Sequence, residues 1–260
     1  MLNRLYFQSG WRESVARCAF VCGALLLLVL LLQPQVAAAA NLAVDPISIQ
    51  LSPTQQSVAI RISNNSDQPT SIQIQAVTWS QVDGKDIYLP TRELLVAPPI
   101  ITIAANSEQI IRAALRRQAD PANELSYRIF LQELAAPPPP GFRGLQVALR
   151  IGLPVFVQPQ RGVAAPKLTW SLARRADNTL VVTLRNDGNA HVQVSDFRLM
   201  LPATKQVIAG ESASSYVLAG QTRSWELHID PAIKARPAVL QLQAYTDAGE
   251  FDVALTAGTP

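Results

Sequence analysis

The sequence holds two histidines, His191 and His228, the side chains whose ordinary pKa lies closest to neutral pH. Each sits in a run of period two, so each reads as a solvated or locally bonded strand residue and not as a catalyst. Gly210-Glu211-Ser212-Ala213-Ser214 looks like a nucleophile elbow, but it lacks the closing glycine and the strand-to-helix context, and it reads as a loop. A Gly-rich phosphate loop, a zinc-protease His-Glu-x-x-His and an Asp-rich calcium loop are all missing from the sequence. Cys18 and Cys22 are the only cysteines, and both lie in an apolar leader. The remainder therefore offers no disulfide, no thiol chemistry and no Cys-based zinc site. These residues do not point to an enzyme, and they call for no metal or cofactor.

The chemistry within reach is backbone pairing. In Leu145–Pro159 every odd position through Val157 is aliphatic: Leu145, Val147, Leu149, Ile151, Leu153, Val155 and Val157. A period of two predicts a strand, and this run is more than twice the usual strand length of about five to six residues. Pro154 has no N–H for a ladder, which predicts an edge position or a bulge. Long apolar edges invite aggregation unless another chain is meant to add a strand to them. Two readings remain for these residues alone: an edge for a partner, or a buried strand of their own sandwich.

The elements around this run set the class. Of 260 residues, 16% are charged, 6% aromatic and 19 are proline, which suits a β-rich globular chain. Net charge is +3, but Arg4, Arg12, Arg17 and Glu13 all lie within residues 1–40. Without them, 19 basic and 18 acidic residues remain. No basic stripe with interleaved aromatics appears, so nucleic acid is not an expected partner. Residues 1–40 read as a secretory signal: three arginines, an apolar run from Cys18 to Leu32, a Gln33-Pro34-Gln35 break, and small residues Ala37–Ala40. Cleavage after Ala38 or Ala40 is expected, leaving no stable membrane association. The alternative is an uncleaved anchor.

Alternating apolar runs follow, separated by turn signals. Ile47, Ile49 and Leu51 form one, and Val58, Ile60 and Ile62 the next, closed by Asn64-Asn65-Ser66-Asp67. Ile72, Ile74 and Ala76 lead to the tight-turn signal Asp83-Gly84. Pro98-Pro99, inside Leu94–Ile103, suits an edge or a strand that crosses between sheets. Ile110, Ile111 and Leu115 come next, then Tyr127, Ile129 and Leu131, then a Pro-rich loop from Ala135 to Gly144. Seven to eight strands in this stretch match an immunoglobulin-like sandwich. Gln160–Pro166 reads as a linker, and a second strand set follows, from Leu168 to Leu255. Asn64 and Asn186 each end an alternating strand before a polar turn, a faint internal echo. Trp79, Trp170 and Trp225 read as core aromatics. No convincing helix appears after the leader. The fold class is all-β, with domains expected at 41–160 and 161–260 after a signal at 1–40.

The order of these features resembles the PapD-like periplasmic pilus-assembly chaperones over nearly all of residues 41–260. It rests on Ile62-Ser63-Asn64, Ala97-Pro98-Pro99-Ile100, Ser107–Arg112, Tyr127–Leu134, the long strand ending at Pro159, and Asn186–His191. Arg150–Val157 is most similar to the archaic, Csu-type branch of chaperone–usher systems. The resemblance implies two immunoglobulin-like β-sandwich domains in a boomerang arrangement. It implies a periplasmic chaperone that binds and folds pilus or fimbrial subunits by donor-strand complementation and delivers them to an outer-membrane usher. Donor-strand complementation is a form of strand addition at a sheet edge. Leu145, Val147, Leu149 and Ile151 would be the subunit-binding residues. Typical members hold the subunit's terminal carboxylate with an Arg on the first strand and a Lys on the last. Those positions fall on Ser48 and Pro154, and the Arg that usually precedes the closing proline is Gln158. Arg150 and Arg128 remain as candidate carboxylate anchors. A structural pilus subunit or adhesin is the alternative. The six residues 41–46 are too short for the free N-terminal donor segment that subunits carry. A periplasmic hydrolase would need paired carboxylates or a triad that the sequence does not offer.

Overall fold

The computed structural model describes residues 42–135, 141, 143–145, 147–175, 177, 179–229 and 237–258. The expected leader and most of the Pro-rich loop lie outside these residues. All described residues belong to one compact unit, Ala40–Pro260.

The first ten strands are β1 (Leu42–Asp45), β2 (Ile49–Leu51), β3 (Ser57–Asn64), β4 (Thr70–Val82), β5 (Lys85–Pro90), β6 (Leu94–Ala97), β7 (Ile100–Ile103), β8 (Ser107–Leu115), β9 (Leu125–Leu134) and β10 (Arg150–Val157). They form two facing sheets. One has the order β1-β3-β8-β6; the other has β2-β10-β9-β4-β5, with β7 also on β4. Alternation dictates this. Ile60, Ile62, Ile72, Ile111, Ile129 and Leu131 sit on the inward side of their strands and fill one core. Each buried aliphatic side chain contributes roughly 1.5–3 kcal/mol before ordering costs.

Two segments change sheets. β6 pairs with β8 and β7 with β4, so Pro98-Pro99 marks a crossing, as expected from two residues that cannot donate to a ladder. The first predicted strand, Ile47–Leu51, shrinks to β2, and β1 precedes it as a strand the periodicity did not show. β1 pairs with β3 and β2 with β10, while Ile47 lies between them, 76% exposed. At the β4–β5 hairpin, Asp83 and Gly84 both have positive φ, 50° and 73°, as a two-residue loop matched to strand twist requires.

The remaining strands are β11 (Leu168–Arg174), β12 (Leu180–Asn186), β13 (Val192–Met200), β14 (Val207–Val217), β15 (Thr222–Leu227), β16 (Val239–Thr246) and β17 (Gly249–Gly258). They run in the order β14-β13-β16-β17-β11-β12-β15 around a second core that includes Val182, Leu184, Val194, Phe197, Leu242, Trp170 and Trp225. Gly210–Ser214 is not the expected loop. It lies within β14, with a register shift opposite Val194 and Asp196. Its backbone makes the ladder at a sheet edge, so its polar side chains hide the strand from a periodicity reading.

Candidate functional site

The long apolar run is only partly a strand. β10 pairs with β9 from Arg150↔Gln132 to Val157↔Leu125. Among the described residues just before Leu149 none is in a ladder, because β9 ends at Leu134. Leu149 itself is tied to Glu133: its carbonyl accepts the Glu133 N–H at 2.9 Å, and its N–H donates to Glu133 Oε2 at 3.0 Å. On the other side, β2 covers β10 only at Val155, Phe156 and Val157, in parallel. The Leu149 bond turns odd residues toward β9, and Gln158 N–H to Leu51 O turns even ones toward β2. The nitrogen of Pro154 therefore points to the open side, at the last position before β2 begins. No bulge is needed there.

The odd side chains change environment along this run. Leu153, Val155 and Val157 are core residues, Leu153 at 2% exposure. Ile151 is half-buried against the same core, and Leu149 is half-buried. Val147 and Leu145 are 70% and 87% exposed. The row that fills the sandwich thus continues past its end as bare apolar side chains.

The even face carries both candidate arginines. Arg150, Gly152 and Pro154 lie level with Gln132, Phe130 and Arg128. Arg150 is exposed, its Cζ 4.0 Å from the Phe130 ring centroid. Arg128 is half-buried, its Cζ 4.5 Å from the Trp79 ring and 5.8 Å from that of Tyr88. Its Nη1 donates to Tyr88 Oη at 2.6 Å, while its Nε is buried without a hydrogen-bond partner. Asp86, on the same face, is engaged by Trp79 Nε1, Gln81 Nε2 and the Tyr88 hydroxyl. Burial pushes the Tyr88 hydroxyl above its usual range, so it stays neutral. Among the described residues Arg128 has no carboxylate partner. Aromatic faces offset part of its desolvation. Gly152 gives it room: a Cβ there would lie 3.1 Å from Phe130 Cε1 and 3.2 Å from Arg128 Nε. Ser48 and Pro154, at the usual anchor positions, carry no charge.

Beyond Pro154 the even face meets the second sandwich. Phe156 is fully buried with Trp79 and Leu218, and Tyr88 and Tyr216 pack against them. Trp79 is therefore a junction residue, unlike Trp170 and Trp225, which are core. The His191 ring stacks on Phe156 at 3.4 Å and 7°, and its Nδ1 donates to Glu124 Oε1 at 2.6 Å. His228 is exposed. Gln81 clasps the two halves: its Nε2 donates to Tyr216 O at 2.9 Å and its Oε1 accepts the Leu218 N–H at 3.0 Å. The signal available for this junction was Leu153-Pro154-Val155-Phe156-Val157, a stretch without a polar residue, as in a strand buried on both faces. Gln81→Ala strands a buried carbonyl and a buried N–H, which should cost about 2 kcal/mol. Calorimetry should show the single transition expected of the intact chain separating into two. An unchanged melting profile would show that the clasp carries no coupling.

Among the described residues, no three His, Cys, Asp or Glu side chains gather as a metal set. No helix of the described residues is long and apolar enough to cross a membrane.

Residues 41–162 match the family described as pili and flagellar-assembly chaperone, PapD N-terminal domain. No curated protein matches the chain. Several solved structures share its fold. One is in the crystal structure of the CsuC–CsuE chaperone–tip adhesion subunit pre-assembly complex from archaic chaperone-usher Csu pili of Acinetobacter baumannii. It has TM-score 0.62 and 20% identity, covering 84% of this chain and 100% of that one. The Pseudomonas aeruginosa CupB2 chaperone gives TM-score 0.54 and 19% identity, over 83% and 100% of the two chains. The Salmonella enterica structure of SafA pilin with the SafB chaperone gives 0.59 and 13%, over 85% and 99%. Two sandwiches, a first strand set shared between two sheets, and the match over residues 41–162 lead to one assignment: the chain carries the PapD N-terminal domain of pili and flagellar-assembly chaperones.

Proposed function

We propose that this chaperone captures a pilus subunit on the open edge of β10, lending it the row Leu145, Val147, Leu149 and Ile151. The observation that carries this reading is the continuation of the core row past the sandwich, with Leu145 and Val147 bare. Backbone groups on the open side of Arg150 and Gly152 supply pairing, and the side chains supply apolar contact. Ile151, already half in its own core, is the boundary residue. Arg128 anchors the subunit's terminal carboxylate, since a guanidinium with free donors suits that group best. Two filled cores in one chain speak for a carrier and against a structural subunit, which would present one incomplete sandwich. The chaperone acts without chemistry on its partner and passes it to an outer-membrane usher.

The anchor is tested by capture. Arg128→Gln should weaken subunit binding by about tenfold or more, since a hydrogen bond to a charged group contributes roughly 1.5–3 kcal/mol. Arg198→Gln, at an exposed position in β13, is the control. Capture by Arg128→Gln equal to that of the control would remove Arg128 from the site.

The proposed location is the periplasm, reached by cleavage of residues 1–40. N-terminal sequencing of the exported protein should start at Asn41 or two residues earlier. Met1 recovered from a membrane fraction would overturn this.

A further inference from the structure

We propose that Arg150 reads an acidic side chain four residues before the C-terminus of the captured subunit. This rests on Arg128 as the carboxylate anchor. Arg150 and Arg128 share one face of the sheet, since Arg128 is level with Pro154 and Arg150 lies four residues back on the same strand. At about 3.3 Å per residue the two levels are ~13 Å apart. Neither arginine has a carboxylate partner among the described residues. Asp86 is engaged elsewhere, and Glu133 Oε2 is held by the Leu149 N–H.

A strand that pairs with the open side of β10 and ends at Arg128 must run parallel to β10, the direction β2 takes beyond Val155. Its last residue is then level with Pro154, and the residue four earlier is level with Arg150. A spacing of four keeps both on one face. Between them Gly152 presents no side chain, and the Phe130 ring separates the two cations. Stacked on Phe130, Arg150 keeps the edge of its guanidinium free for a carboxylate. The chemistry selected is an Asp or Glu at that one position.

The test uses the mature chain and two nine-residue peptides with valine at alternate positions and a free terminal carboxylate. They differ only in Asp or Asn four residues before the last. The Asp peptide should bind about two- to fivefold tighter, the range of an exposed ion pair. The gap should shrink in 1 M salt, disappear in Arg150→Gln, and persist in Arg128→Gln, where both peptides bind more weakly. Equal binding of the two peptides to the unmodified chain, or a gap that survives Arg150→Gln, overturns the inference. The anchor still stands in that case if Arg128→Gln weakens both peptides. If Arg128→Gln changes neither, the anchor fails and this inference falls with it. Absence of binding by both peptides at millimolar concentration overturns both.

Discussion

Val147→Asp should leave the free chaperone folded and abolish its recovery of subunits. Val147 is 70% exposed and lies outside any ladder, so a charge there meets water in the free protein. Surface substitutions of this kind change stability by about 0.5 kcal/mol or less. In the complex the same carboxylate would sit unpaired in an apolar groove, at a cost of several kcal/mol. Leu153→Asp provides the contrast. It lies on the same row but is 2% exposed in the first core, and its replacement should unfold that sandwich. Leu149 is a poorer probe, because it is half-buried and tied to Glu133 before any partner arrives. The readouts are thermal melting of the free chain and co-purification with a subunit lacking its own final strand. Normal recovery by Val147→Asp, or a melting temperature lowered as far as in Leu153→Asp, would sink the proposed edge.

The second large effect is expected from two asparagines. Asn64 and Asn186 are fully buried and do the same work in the two sandwiches. Asn64 Nδ2 donates to the carbonyls of Gln68, Ile103 and Ala104, and its Oδ1 accepts from Ser66. Asn186 Nδ2 donates to Ala190, Val217 and Leu218, and its Oδ1 accepts the N–H groups of Lys167 and Gly188. In each case one bond goes four residues ahead and two go to consecutive carbonyls at another strand's end. Alanine at either position leaves several buried backbone groups without a partner, which should cost about 3 kcal/mol. For a chain that melts in one transition at this size, that corresponds to roughly 6–12 °C of melting temperature. The two should differ in reach. Leu218, held by Asn186, also gives its N–H to Gln81. Asn186→Ala should therefore be non-additive with Gln81→Ala, and Asn64→Ala additive. Equal coupling in both cycles would refute the link through Leu218.

This asparagine echo was legible in the sequence, because each residue follows an apolar alternation and precedes a polar turn. At Pro98-Pro99 proline's missing N–H pointed to an edge or a crossing, and the pairing of β6 with β8 and β7 with β4 decides for the crossing. Other elements left weaker traces. β1 is four residues long, and Ile47 invited a single strand where the chain changes sheets. The end of β10 before Leu149 depends on where β9 stops, a long-range fact that no local pattern holds. The roles of Trp79, Phe156 and His191 depend on which outer face meets the second sandwich. Alternation tells inside from outside within one sandwich and is silent about what covers the outside.

The halt at Pro154 also fixes alignment. An apolar edge open at both ends lets an added strand slip by two residues and find nearly equivalent contacts. Here β2 occupies the path from Val155 onward, so a guest strand abuts it and can advance no further. The room left, from Leu145 to Pro154, is about 33 Å of extended chain. In the proposed capture the fold would thus work as a gauge with a fixed end stop, taking a strand in one position and measuring its length from there.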